Sequence, residues 1–348
     1  MSCNKKSCEN KRLGTVGGQA VLEGVMMQSK KRIALAVRNI ETKEINVRSN
    51  NYKAFKDKHK WANIPILRGI INFVETLIMS FSTLTASTEM LGIEDEEPGK
   101  FEKWLNKVFG KSLMSFISFV SVILGVVLAL GLFMFLPMWT VGMLKDWLKF
   151  NDVIRSLLEG FMRIIIFILY IVLTSLLKDI RRTYQYHGAE HKSIFCYEKG
   201  LELTVNNVRK QSRFHPRCGT AFIFVVLIIS ILCTATIYSF ITFPNDVVRF
   251  LIKLPVVPLL VGISYEFIMF AGKHDNACTR ILSAPGLWMQ RLTTKEPDDG
   301  MMEVAITALK TSLIEEFPEF QVPFEDGYDI NGKIKTEEEN KEADGETK

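Results

Sequence analysis

The sequence predicts a mainly α fold: a polytopic helical membrane protein with about four transmembrane helices and a small β-containing N-terminal cytoplasmic part. Three observations predict it. Hydrophobic residues make up 48% of the 348 residues although both ends are strongly charged, so the apolar residues must be concentrated in a few segments. One of these, Ser112 to Leu144, holds no charged residue and exceeds the roughly 20 residues a helix needs to cross a bilayer. Lysine and arginine crowd between 178 and 217, the pattern of a cytoplasmic loop between spans.

Residues 1–60 are expected to form an N-terminal cytoplasmic region. Here "GTVGGQAVLEGVMMQ" joins a glycine pair to apolar residues, and "RIALAVRN" and "KEINVRS" alternate around a polar turn at Ile40 to Lys43, as a β-hairpin does. The opening "MSCNKKSCENKR" is polar and carries no secretory signal, so the first span is expected to act as its own insertion signal. Residues 61–111 hold an apolar stretch at helical spacing, 62–91, which carries Arg68 and Glu75. Those charges predict an amphipathic or re-entrant helix at the membrane face rather than a fifth span. "EDEEPGK" then breaks the chain.

Residues 112–272 are expected to be a four-span membrane domain. The second span, 157–177, carries Glu159 and Arg163 at i,i+4, able to pair or to reach the interface. A third, 218–245, is uncharged, and the fourth, 254–272, has a single charge, Glu266, with Pro255 and Pro258 expected in its entry turn. Four spans and a cytoplasmic 178–217 loop place both termini in the cytoplasm. Residues 273–324 are expected to form a cytoplasmic loop, "SAPGLWMQRLTTKEPDDG", and a helix from Met301 to Phe317 with Asp298 or Asp299 as N-cap. The acidic tail, 325–348, is expected to be disordered.

The net charge of +5 suits basic loops beside anionic membrane lipid and asks for no nucleic acid, since basic and aromatic residues are not interleaved. Six scattered cysteines facing a reducing cytoplasm or lipid argue against a disulfide framework. The chain has no internal repeat, no G-x-S-x-G elbow, no phosphate-binding loop and no dinucleotide fingerprint.

One pattern carries chemistry. "YHGAEHK" (186–192) puts His187 and His191 on one helix face with Glu190 adjacent. H-x-x-E-H is the inverted form of the zinc motif in which the glutamate takes a proton from water rather than binding the metal. Two exposed histidines on a solvated helix would look the same, and the motif alone does not separate the two. Its position adds weight. A helix continuing from span two would hold His187 about 15 Å beyond the membrane surface, and "HPRCGTAF" places His215 and Cys218 where span three begins. Glu266 lies within a span, where an ionisable group suggests function unless a cation such as Arg163 pairs with it. Glu303, in "EPDDGMMEVA", sits one turn into the last helix, where the helix dipole alone could account for an acid. His274 and Asp275 are further candidates, equally well explained as a polar loop.

Six blocks, "GGQAVLEGVMM", "YHGAEHK", "HPRCGTAF", "GISYE", "APGLWMQRLTT" and "EPDDGMMEVAI", together resemble the YqhQ-like bacterial membrane proteins, domain-of-unknown-function family 1385, from Gly14 to Phe317. The resemblance implies a metal-dependent enzyme of the bacterial cell membrane. It aligns His187, Glu190, His191, His215, Cys218, Glu266 and Glu303 with the family's polar motif positions. The expected function is a hydrolase of amide or ester bonds, peptidase-like. A divalent metal, zinc first, is held by His187 and His191 with His215, Cys218, Glu266 or Glu303 completing the set, and Glu190 is the catalytic base. A membrane-associated protein is the expected substrate. The alternatives are a membrane assembly or regulatory factor in which the same residues form a structural metal site or polar network, and a transporter with Glu266 on its path.

Overall fold

A computed structural model of the chain describes residues 12–92, 113–148, 151–238, 240, 245–271 and 277–320. The acidic tail, the "EDEEPGK" break, His274 and Asp275 lie outside these residues. The main helices in chain order are α1 (Leu67–Met90), α2 (Leu113–Leu130), α3 (Leu136–Leu148), α4 (Asp152–Thr174), α5 (Lys178–Glu198), α6 (Val205–Arg209), α7 (Gly219–Tyr238), α8 (Asp246–Ala271), α9 (Ala277–Thr293) and α10 (Asp299–Ser312). Two compact units result: Met1–Gly92 with Val172–Val225 and Val261–Lys348, and Ile93–Ile171 with Val226–Leu260.

The first unit is built on four antiparallel strands in chain order, β1 (Gly17–Val21), β2 (Gly24–Gln28), β3 (Arg32–Arg38) and β4 (Ile45–Asn51). The alternating segments thus form the expected hairpin, and the glycine-rich segment forms a second one, β1–β2. Pairing of Gly18 with Met27 and of Ala20 with Val25, continued by Ala34 and Ala36, puts these residues on one face. Val25, Met27 and Ala36 pack there against Tyr186 and Ala189 of α5 and Met301, Met302 and Ala305 of α10. The opposite face, with Val21, Met26, Leu35 and Val37, packs against Met79 and Met90 of α1. Gly69 on α1 lies so close to Tyr265 and Gly262 that a Cβ would sit 2.6 Å from the tyrosine side chain. On the far side of α1, Val74, Leu77, Ile78, Phe81 and Leu84 are exposed.

Among the described residues, four helical segments are long and apolar enough to cross a membrane: Leu67–Met90, Phe119–Leu144, Asp152–Thr174 and Asp246–Phe270. Phe222–Ile237 is a shorter apolar helix. So α1, expected to be amphipathic, also meets the requirement by length and composition.

Three sequence expectations need correction. The fourth apolar helix starts at Asp246, not 254, and carries Pro255 and Pro258 inside it rather than in an entry turn. Asn245, accepting the Val248 N–H at 2.9 Å, is the N-terminal signal that the prolines obscured. Residues 277–293 are helix where a loop was expected, and Pro285 is inside it. The buried Met289, Gln290 and Thr293 side chains recruit this segment to the first unit in spite of the Pro-Gly pair. The last helix begins as expected, with the Asp298 side chain accepting the Met301 N–H, but ends at Ser312 instead of Phe317.

In the second unit Glu159 does not pair with Arg163. It accepts from Arg155 at 3.1 Å, Lys253 at 2.6 Å and Arg249 at 3.2 Å. Arg163 instead donates to the Phe133 carbonyl at 2.9 Å, inside a π-helical turn, Gly131–Phe135, that joins α2 to α3.

Candidate metal centre

The α5 helix starts after Leu177, whose extended backbone (φ −71°, ψ 132°) separates it from α4, so the motif is not on a continuous extension of the preceding apolar helix. Its periodicity turns Tyr186, Ala189, Glu190 and Tyr197 toward the sheet, while His187 and His191 lie on the flank. Gly188 is the close-approach point. A Cβ there would collide with the Lys295 carbonyl, whose own N–H donates to the Tyr184 carbonyl at 2.8 Å. Lys192, buried, reaches both Glu296 and the Arg209 carbonyl. The segment after α9 is thereby held along α5.

His187 and His191 present ring centroids 4.4 Å apart. Nδ1 of His187 lies 2.9 Å from the Thr293 carbonyl, and Nδ1 of His191 lies 2.5 Å from the Arg213 carbonyl. A carbonyl oxygen only accepts, so each Nδ1 carries a proton, and Nε2 is the nitrogen each ring can offer to a ligand. Cys218 Sγ is 3.3 Å from His187 Nε2. One ligand atom from each of His187, His191 and Cys218 falls within 4.8 Å of the other two. Burial lowers the His191 pKa, with the Cys218 thiol opposing, which keeps the imidazole neutral and able to ligate.

Glu190 reaches the same place from the sheet side. Gly18 on β1 leaves room for it: a Cβ on Gly18 would sit 2.8 Å from Glu190 Oε1. Burial pushes the Glu190 carboxyl up to about 8, His187 pulling it down and Cys218 adding to the rise. Glu190 Oε2 and His191 Nε2 are both buried and without a hydrogen-bond partner. Two unsatisfied buried polar atoms beside a His-His-Cys group are what a bound cation would satisfy.

His215 adjoins the cluster, its ring centroid 5.7 Å from that of His191, but both its nitrogens are engaged. Nδ1 accepts the Arg217 N–H at 3.3 Å, and Nε2 faces Glu198 Oε2 at 3.3 Å. Its backbone is clamped by Gln290, which accepts the His215 N–H and donates to its carbonyl, both at 2.8 Å. His215 therefore positions the 213–218 segment. Glu266 and Glu303 are not brought to the cluster. Glu266 is paired bidentately with Arg68 and accepts the Ile66 N–H, so Arg68 and not Arg163 is its partner. Glu303 meets Arg38 at 3.1 Å at the surface.

Sequence reasoning missed four supporting residues. Glu198 joins His215 to Arg217 (2.5 Å) and to the Gly14 N–H (2.9 Å). Burial alone would raise its pKa, but His215, the Gly14 N–H and Arg217 outweigh that and hold it at about 2. Gly18, Gly188 and Gln290 complete the set. Both glycines stood inside quoted motifs, and a glycine in mid-helix was itself a signal of close packing.

The family model described as "Protein of unknown function (DUF1385)" matches residues 64–315. "Uncharacterized protein YqhQ" of Bacillus subtilis (strain 168) is 32% identical over 305 residues, covering 85% of this chain and 92% of its own length. No solved structure matches.

Proposed function

Since the chain belongs to the DUF1385 family, we propose that its members of this type are multi-pass bacterial membrane proteins with a divalent-metal site, zinc first, held by His187, His191 and Cys218, and that the site hydrolyses amide or ester bonds. The carrying observation is the pair of Nδ1–H···O=C hydrogen bonds, which turn both Nε2 lone pairs toward Cys218 Sγ. Metal-bound histidines are fixed through their second nitrogen in this way. His187, His191 and Cys218 would hold the ion.

When bound, such an ion supplies a Lewis acid that makes water a competent nucleophile near neutral pH. Glu190 takes a proton from the attacking water and delivers it to the departing nitrogen or oxygen. Its Oε2, held beside the cluster without a partner, is the atom for that transfer. Arg217 and Glu198 hold the loop that carries Cys218, and Gln290 holds His215. The burial of His191 and Glu190 favours a second reading, in which the same site is structural and ties α5 to the 213–218 segment.

Elemental analysis tests both. Purified wild type is expected to hold about one equivalent of metal, and the His187→Ala, His191→Ala double variant none. Absence of metal from the wild type would overturn both readings. Glu190→Gln is expected to keep metal and fold while abolishing function in cells; retained function would leave only the structural reading.

A further inference from the structure

The β1 strand is the edge of the sheet, and its Gly18 packs against Glu190. Its register with β2, closed by the two-residue turn at Leu22 and Glu23, makes Val21–Gly24, Gln19–Met26 and Gly17–Gln28 the pairs that exchange hydrogen bonds. The N–H and C=O groups of Gly18 and Ala20 therefore point away from the sheet. Gly17 and Gly18 are exposed, and no atom lies within 4 Å of where a Gly17 Cβ would be. An open edge of this kind is normally blunted by charge, proline or a covering element. Here it is kept flat by two glycines and stands against Glu190.

We propose that the substrate is an extended polypeptide segment, bound as a fifth strand along Gly18 to Ala20 by these outward backbone groups. This rests on the hydrolytic reading of the centre and names its substrate class. A strand paired to β1 runs about 4.8 Å from it, with the Glu190 carboxylate on the α5 side of Gly18. Main-chain pairing supplies affinity without regard to side-chain identity. The Gly18 position serves twice: any Cβ would displace Glu190, and any side chain would roughen the edge. In the reaction, the water oxygen bonds to the peptide carbonyl carbon and the C–N bond breaks. The proton taken by Glu190 passes to the departing amine, so no oxidant or reductant is needed.

Hydrogen exchange on the full-length protein in detergent, with and without β-casein as a permanently unfolded chain, tests this without a variant. The Gly18 and Ala20 amides are expected to exchange more than about tenfold more slowly when casein is present, and casein to be cleaved by the wild type but not by Glu190→Gln. Ala20→Pro removes one outward N–H and spares the pairs with β2, as proline on an edge strand can. It should bind casein about fivefold more weakly, the loss of one hydrogen bond, with metal content unchanged. Unchanged exchange at Gly18 and Ala20 in a metal-loaded protein overturns the proposal and leaves the hydrolytic reading standing. Protection without Glu190-dependent cleavage overturns it too, since the chain is then bound but is not the substrate. Protection that appears with protein concentration and no casein also overturns it, showing the edge to be a contact between copies. Absence of metal from the wild type is read separately and removes the hydrolytic reading itself.

Discussion

Glu198 shows how much a single side chain organises. It is 5% exposed, and its two oxygens serve Arg217, His215 and the Gly14 N–H. With the carboxyl held at about 2 against an ordinary 4.5, the folded state binds the proton less well than the unfolded one. Its stabilisation is complete above pH 4.5 and is lost as the pH falls toward 2. Acid unfolding followed by circular dichroism should therefore show a steep limb in that window, and Glu198→Gln should flatten it. The same variant should cost about 3 kcal/mol near neutral pH, since it strands Arg217 beside a buried partner site. At this scale the sequence put His187, Glu190 and His191 together on one helix, because their spacing is a local property. It was silent on Glu198 and Gln290, whose roles come from partners 17 and 75 positions away. Glu266, expected at the metal site or paired with Arg163, pairs with Arg68, a choice made by packing that no spacing rule encodes.

Among the elements, α5 depends on one glycine. Gly188 lets the Lys295 carbonyl approach the helix backbone, and a methyl group there has no flexible neighbour to push aside. Gly188→Ala would raise intrinsic helix propensity by about 1 kcal/mol yet is expected to destabilise the protein by roughly 2 kcal/mol through overpacking. Chemical denaturation in detergent measures it, and a stabilised variant would refute the close approach. The elements that sequence reading found, the β3–β4 hairpin and the apolar helices, are those whose pattern repeats along the chain. Those it misplaced, the start of α8 and the whole of α9, contain proline, and their other helix signals lie in Asn245 and in the buried face of Met289, Gln290 and Thr293.

For the whole molecule the decisive element is α1, apolar enough to cross a membrane yet tied into the first unit along its length. Met79 and Met90 pack on the sheet, and Phe73 lies 6.5 Å from Phe222 by ring centroids. Its exposed stripe of Val74, Leu77, Ile78, Phe81 and Leu84 fits a helix lying in the membrane surface. Cytoplasmic reporter fusions after residue 92 and after residue 320 are both expected to be active. A reporter at the N-terminus that reads the opposite side from the one after residue 92 would show that α1 crosses.

The sheet face buried by α5 and α10 has a consequence in time. Strands β1 to β4 are complete at Asn51, whereas α10 ends at Ser312, about 260 residues later. At translation rates of roughly 5–20 residues per second, Val25, Met27 and Ala36 wait on the order of 10–50 seconds for their cover. During that wait every apolar helix must leave the ribosome. The nascent sheet is thus a client for whatever shields apolar surface on an emerging chain, and its face toward α5 and α10 is among the last parts of the fold to close.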